Sequence, residues 1–421
     1  MNYDRIEIGD RIGLTTIIDE KFKSSLLTVR FIVPLDEKSV SDNVIGFSLL
    51  SDANSEYRSI AEMSEVLSEL YGSSLSSYSR KRGDLQILGV TSSWLASRYA
   101  LYGEDIQKSM LKIFSDCLFS PAAENGAFDS ELFSIEQKEL FDRIEAELNS
   151  KRAYAISQAT AAAFRGEPAE NSSYGTKETA LAVTAASAYE AYRHILETAQ
   201  IEATFVSAEP DPMVEDMLRN GFAAIERHPV TVSFIGRSPV KPEAVTVSGE
   251  YDVRQCKMVM VLKTPSEDAF ALRMLSTILG ETATSKLFLN VREKLSLCYY
   301  CGCQISLTKG ALIIDSGVER DNIEKAKAEI MAQIEEMCKG NISDEEIESA
   351  LLSTDNGLCQ VGDTLSSYSG WYFERFCEGN HKDPQEMFRD YSAVSRERIV
   401  EAAKSLKPDT VYLMLDKEAK Q

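Results

Sequence analysis

Leu279 to Val318 reads LGETATSKLFLNVREKLSLCYYCGCQISLTKGALIIDSGV, and its change of period decides the fold. Gly280 marks the end of one helix. Leu287, Phe288 and Val291 then recur at helical spacing within a short amphipathic segment, Ser285 to Arg292. From Leu297 the spacing becomes two. Leu297, Tyr299, Cys301, Cys303 and Ile305 alternate with Cys298, Tyr300, Gly302, Gln304 and Ser306, as in a strand. On that alternation Cys298 faces away from Cys301 and Cys303. Thr308-Lys309-Gly310 is a turn, and Ala311 to Val318 is the returning strand. Arg292 therefore stands at a helix end and Tyr299 on the neighbouring strand.

The same order of elements occurs earlier in the chain. Glu69-Leu70-Tyr71-Gly72-Ser73-Ser74-Leu75 precedes a hairpin and a long helix, as Lys294-Leu295-Ser296-Leu297-Cys298-Tyr299 does later. A period of about 225 residues is too long for a solenoid and points to a duplicated domain. Strands, helices, strands, helices and a final strand follow one another over 1–207. A proline-containing connector covers 208–250. The pattern restarts over 251–421. The predicted class is α+β: two homologous halves, each a mainly antiparallel sheet with helices packed on one face. Ser343-Asp344-Glu345-Glu346 forms a capping box, and Gly340 closes the preceding helix.

The chain has 421 residues and a formal net charge of −21, which argues against nucleic-acid and anionic-membrane partners because both demand basic patches. No apolar run reaches membrane-spanning length, and the acidic first residues contain no apolar leader core, so a cytoplasmic location is expected. The eight cysteines are then expected to be reduced thiols. Cys298, Cys301 and Cys303 read as small apolar strand residues, since opposed side chains cannot converge on one metal ion. Of the three histidines, His194 starts half a metal motif with Glu197, but Thr198 stands where a second His is needed. His228 and His381 read as surface residues. No glycine-rich phosphate loop is present.

Leu279-Gly280, Ser285-Lys286-Leu287-Phe288, Arg292-Glu293-Lys294 and Leu297-Cys298-Tyr299 together resemble the second half of the pitrilysin/insulinase metallopeptidases, specifically the short bacterial members that work as two-chain assemblies. The resemblance spans nearly the whole chain. It implies a clamshell of two α+β halves around a peptide chamber, with Arg292 and Tyr299 as the pair that contacts the substrate backbone. Two hydrogen-bond donors suit a carbonyl oxygen that gains charge during hydrolysis.

The same resemblance places a zinc motif, His-x-x-Glu-His, at Leu49 to Ala53. Here the histidine positions hold Leu49 and Ala53, and the glutamate position holds Asp52. Leu and Ala carry no lone pair. The later Glu-x6-Glu pattern, started at Glu136, puts Arg143 at its second position. A cation there opposes Zn2+. The resemblance thus implies a non-catalytic subunit that binds no zinc itself, with a homologous zinc-bearing partner in a heterodimer acting on peptides. A binding or scaffold protein on the same fold and a thiol enzyme using Cys298 are the alternatives.

Overall fold

The computed structural model describes residues 1–417. The chain folds into two compact units, neither made from one continuous segment. The first comprises 1–145, 171–233 and 361–381, and the second 146–170, 234–360 and 382 onward.

The first unit is built on six strands: β1 (Asn2–Gly9), β2 (Ile12–Ile18), β3 (Ser24–Pro34), β4 (Ser74–Arg82), β5 (Leu85–Leu95) and β6 (Gln200–Ser207). Their order is β1-β2-β6-β3-β5-β4, so β4 is an edge. The β2–β6 pair is parallel and the others are antiparallel. Alternation along β3 sends Leu27, Val29 and Phe31 to one face, where helices Val40–Ser48, Ile106–Phe119 and Ala185–Thr198 add Ile45, Phe47, Phe114 and Tyr192 to the core. Thr28 and Arg30 go to the other face, which is covered by a single helix, Leu365–Cys377. The buried Arg30 guanidinium donates to Thr204 Oγ1 at 3.1 Å and Ser369 Oγ at 2.8 Å, and lies 4.6 Å from the Phe373 ring centre. These partners compensate part of the cost of burying a cation.

The second unit repeats the plan. Its strands are β7 (Val245–Tyr251), β8 (Cys256–Lys263), β9 (Cys298–Ser306), β10 (Ala311–Val318) and β11 (Lys407–Asp416), in the order β9-β10-β8-β11-β7. The β7–β11 pair is parallel, and the other pairs are antiparallel. Thus β2, β6, β3, β5 and β4 correspond in turn to β7, β11, β8, β10 and β9, and both repeats end on an edge hairpin strand. The duplication reaches the backbone. Tyr71 and Ser296, the repeat period apart, both adopt positive φ (61° and 49°) just before β4 and β9.

Here too one helix, Lys151–Ala163, lies alone on one sheet face. It presents Ala155, Ala159 and Ala163 to Val259, Val261, Tyr412 and Met414, the small side chains allowing close approach. Its C-terminal carbonyls of Ala162 and Ala163 accept from Lys241 and the buried Lys263, cations at the negative end of the helix dipole. Both lysines also pair with buried Asp409.

The two-half α+β class holds, and the second face of each sheet carries a helix as well. The linear boundaries 1–207 and 251–421 differ from the compact units at these two helices. Helix Lys151–Ala163 belongs to the second unit and helix Leu365–Cys377 to the first. Sequence order cannot reveal this exchange, because each helix looks locally like a continuation of its neighbours. The connector also divides, 208–233 going with the first unit and 234–250 with the second.

Candidate functional site

In the first unit, helix Val40–Ser48 runs into a 3-10 turn, Leu49–Ser51. Leu49 and Ala53 are 2 % and 0 % exposed and sit in the main apolar core. The positions that would hold two imidazoles therefore supply only packing. Asp52 points the other way, into a shallow groove of about 230 Å³ lined by Ser48, Ser51, β4 residues and helix Ser130–Ala146. Glu136, Glu139 and Arg143 of that helix line the same groove. Burial, and then the charge of Glu136, push the Asp52 carboxyl up to about 8, and Glu136 is raised too, mainly by burial. The two carboxyls thus share a proton at neutral pH, an arrangement forced on close carboxylates. Arg143 draws Glu136 toward its charged form and stacks 5.3 Å from the Tyr174 ring centre.

A zinc ion does not fit these residues. Its two nitrogen positions are carbon side chains in the core, the carboxyl that would activate water keeps a proton at pH 7, and a guanidinium lines the same groove. Among the described residues, no three His, Cys, Asp or Glu side chains are grouped so as to hold a metal ion.

In the second unit, the stretch around Arg292 is irregular. Helix Ala269–Ser276 widens into a π-helical turn, Thr277–Glu281, and Leu287–Lys294 is π-helical throughout. Such turns cluster at functional sites. Gly280 does stand at the end of this helical run, which closes at Glu281. A Cβ there would lie 2.8 Å from the Cys303 backbone nitrogen, so glycine is required for the turn to press against β9. After Arg292 the chain folds back, with Ser296 N donating to Arg292 O (3.1 Å) and Leu297 N to Val291 O (3.1 Å). The Arg292 side chain is 40 % exposed, 4.6 Å from the Phe288 ring centre, with Nε 3.6 Å from Glu293.

The start of β9 departs from strict alternation. Cys298 pairs with Val318 and Tyr300 with Gly317, so Tyr299 is the extra residue of a β-bulge. Tyr299 is consequently 67 % exposed, while Cys298, Cys301 and Cys303 are all buried. The expectation that Cys298 faces away from Cys301 is overturned: the bulge resets the phase, and the two pair with Val318 and Ser316, which are two residues apart, so they lie on one face of the strand. Leu289, Leu295 and Tyr299, from the same stretch of chain, are exposed, and Arg292 is half-exposed. The family resemblance singled out Arg292 and Tyr299 as candidates, but the alternation of the sequence missed the bulge. It also missed the Asp52–Glu136 pair, for which Asp52 and the acid-rich helix were the available signals.

Of the three histidines, His228 is exposed, and His381 bonds Tyr3 Oη at 3.0 Å in an exposed setting. His194 lines a larger surface cleft beside Glu197 and Thr198. No helix of the described residues is long and apolar enough to cross a membrane.

Comparison with known proteins agrees with the fold. Residues 182–353 match the family model described as the peptidase M16 inactive domain. The chain is 26 % identical over 410 residues to the probable inactive metalloprotease YmfF of Bacillus subtilis (strain 168), covering 96 % of each. It also resembles the crystal structure of a conserved protein from Enterococcus faecalis V583 (TM-score 0.93, 22 % identity, all of both chains covered). A further likeness is to a peptidase M16 inactive domain from Pseudomonas fluorescens (TM-score 0.80, 14 % identity, 100 % of this chain and 99 % of that one). The chain is thus similar in sequence and fold to proteins described as inactive members of the M16 peptidases, and Leu49 and Ala53 stand where zinc ligands would be needed.

Proposed function

We infer that this chain is the non-catalytic, substrate-binding subunit of a two-chain zinc peptidase. A homologous partner would supply the metal, the water and the general base. This chain would supply Arg292 and Tyr299 as donors to the peptide backbone. It would also offer a sheet edge, β4 or β9, on which an extended peptide can add as a strand. The observation that carries the reading is a contrast within one chain. The positions equivalent to metal ligands are sealed in the core, whereas Arg292 and Tyr299 stay open to solvent on an irregular, π-helical and bulged stretch.

The test is reconstitution with a similar-sized chain that carries an intact His-x-x-Glu-His. Neither chain alone should cleave peptides, and the mixture should. Arg292→Ala and Tyr299→Phe should each lower kcat/KM by roughly tenfold or more, the loss of one donor to a developing oxyanion, with zinc content unchanged. Wild-type cleavage in both variants would return the pair to a structural role. The second reading, a scaffold that binds peptides without any peptidase partner, is favoured if peptide binds to this chain but no reconstituted mixture is active.

A further inference from the structure

β4 is an open edge: among the described residues its one strand neighbour is β5. The groove at Asp52 is lined by Leu75, Ser76, Ser77, Tyr78 and Ser79, consecutive residues of that strand. One face of a strand presents every second residue, so this groove follows the backbone edge rather than a face. We propose that the β4 edge takes an extended peptide with opposite charges on its two sides, a Lys or Arg side chain turned toward Asp52, Glu136 and Glu139 and an acidic side chain turned toward Arg80 and Arg82. This names a ligand class for the peptide-binding role inferred above and rests on that role.

Alternation fixes which side each residue of β4 serves. Leu75 packs against the main core, and Ser77 Oγ accepts from Ser51 Oγ at 3.4 Å, so the odd-numbered residues face the side that carries Asp52, Glu136 and Glu139. Arg80 lies 5.2 Å from the Phe373 ring centre and Arg30 4.6 Å from the same ring, so the even-numbered residues face helix Leu365–Cys377.

The two sides differ in charge. On the first, three carboxyls line the groove with one cation, Arg143, which stacks on Tyr174. Among the described residues none of these carboxyls is in an ion pair, and Asp52 Oδ2 is buried without a hydrogen-bond partner. On the second, Arg80 and Arg82 share the single carboxylate of Glu374, Arg80 Nη2 donating to it at 3.0 Å. The Nε of each is buried and donates to nothing. Buried Arg30 behind them donates to the Thr204 and Ser369 hydroxyls. A guanidinium has five N–H donors, so one shared carboxylate leaves both arginines able to take a second. The Arg80 side chain is 42 % exposed, which lets that second carboxylate arrive from solvent.

Main-chain bonds to an open edge supply affinity whatever the sequence, and side chains supply the choice. Residues an odd number apart on a strand lie on opposite faces, and residues an even number apart lie on the same face. A peptide laid along Ser77 to Arg80 therefore meets both charge sets when its cation and its acid are three apart. At a separation of four both turn to one side, and one of them meets its own sign. Each matched cross-strand pair contributes up to about fivefold in affinity, and a like-charge pair loses a similar amount.

The experiment follows fluorescence anisotropy of short labelled Thr/Val-rich peptides on the full chain alone at low ionic strength. One set carries Lys and Glu three apart, in both orders; a second set of the same composition carries them four apart. The expected result is roughly tenfold tighter binding at the odd spacing, the combined effect of two matched pairs. N-methylation of every peptide nitrogen between the two charges should abolish binding, because edge pairing needs those donors. Arg80→Glu should reverse the choice on its side, so that a peptide with Lys in place of Glu becomes the tighter ligand, a rescue that a misfolded variant cannot show. Asp52→Asn with Glu136→Gln should weaken the preference for Lys over Gln at the other position. Equal binding at both spacings, a spacing preference that survives N-methylation, or an unchanged preference for Glu in Arg80→Glu would each overturn the assignment while peptide binding itself stands. Absence of binding by every peptide would overturn the peptide-binding role together with it.

Discussion

Replacing Asp52 by Asn tests whether the groove at Asp52 stores a proton. The folded-state carboxyl is raised to about 8 by burial and then by Glu136, against an unfolded value near 3.8. A raised acid binds its proton more tightly in the folded chain. Its contribution is therefore fully present below about pH 4 and is lost as pH climbs through 8, where the folded chain must ionise a desolvated group or unfold. Four pH units at about 1.4 kcal/mol each set a ceiling of about 6 kcal/mol. Asp52 is partly open to water and shares its proton with Glu136, so about 1–3 kcal/mol is the expected share. Asn is nearly isosteric and never ionises. Asp52→Asn should match wild type near pH 5 and exceed it by about 1–3 kcal/mol at pH 9, read as the difference in urea midpoints of the two proteins across pH. Taking the difference cancels other titrating groups such as Glu202, also raised by burial. If the two curves stay parallel from pH 5 to pH 9, or if the variant is the weaker at pH 9, the reasoning fails.

Other expectations are narrower. Purified chain should contain far less than one zinc per molecule by atomic emission after mild dialysis, and Leu49→His with Ala53→His should gain none stably, because Arg143 remains in the groove. Gly280→Ala should lower stability by about 1–3 kcal/mol in thermal unfolding, since its Cβ would meet the Cys303 backbone nitrogen at 2.8 Å, and backbone cannot swing aside. Lys263→Ala should cost about 3 kcal/mol by leaving buried Asp409 with Lys241 as its remaining lysine partner and two carbonyls without their donor. Lys263→Arg should recover little of it in so tight a site.

The duplicated α+β plan was legible because it rests on signals that act locally: alternation in β3, the hairpins before and after Gly83 and Gly310, and the capping box at Ser343, which forms as read. The vacancy at Leu49 and Ala53 was legible for a simpler reason, since no packing can give an alkyl side chain a lone pair. What escaped were features set by a partner element. The bulge at Tyr299 appears only when β9 is laid against β10, because the apolar and polar residues alternate smoothly through it. Gly280 reads equally well as a helix stop or a contact point until β9 is placed beside it. Ala155, Ala159 and Ala163 did carry a usable signal, a small-residue stripe at four-residue spacing, which marks a helix lying close on another surface. Nothing in them says which sheet provides it.

The two traded helices bear on how the protein is born. A ribosome delivers the six strands of the first sheet long before it reaches residues 361–381. Until then Arg30 lacks Ser369 and the Phe373 ring, and Tyr3 lacks the Tyr372 ring that stacks on it at 4.3 Å. The nascent sheet must wait with one side bare for a segment more than a hundred residues away. Completion of the first unit therefore comes late in synthesis, shortly before β11 completes the second. A chain cut short before residue 361 would leave two incomplete units, with no finished amino-terminal half to survive on its own.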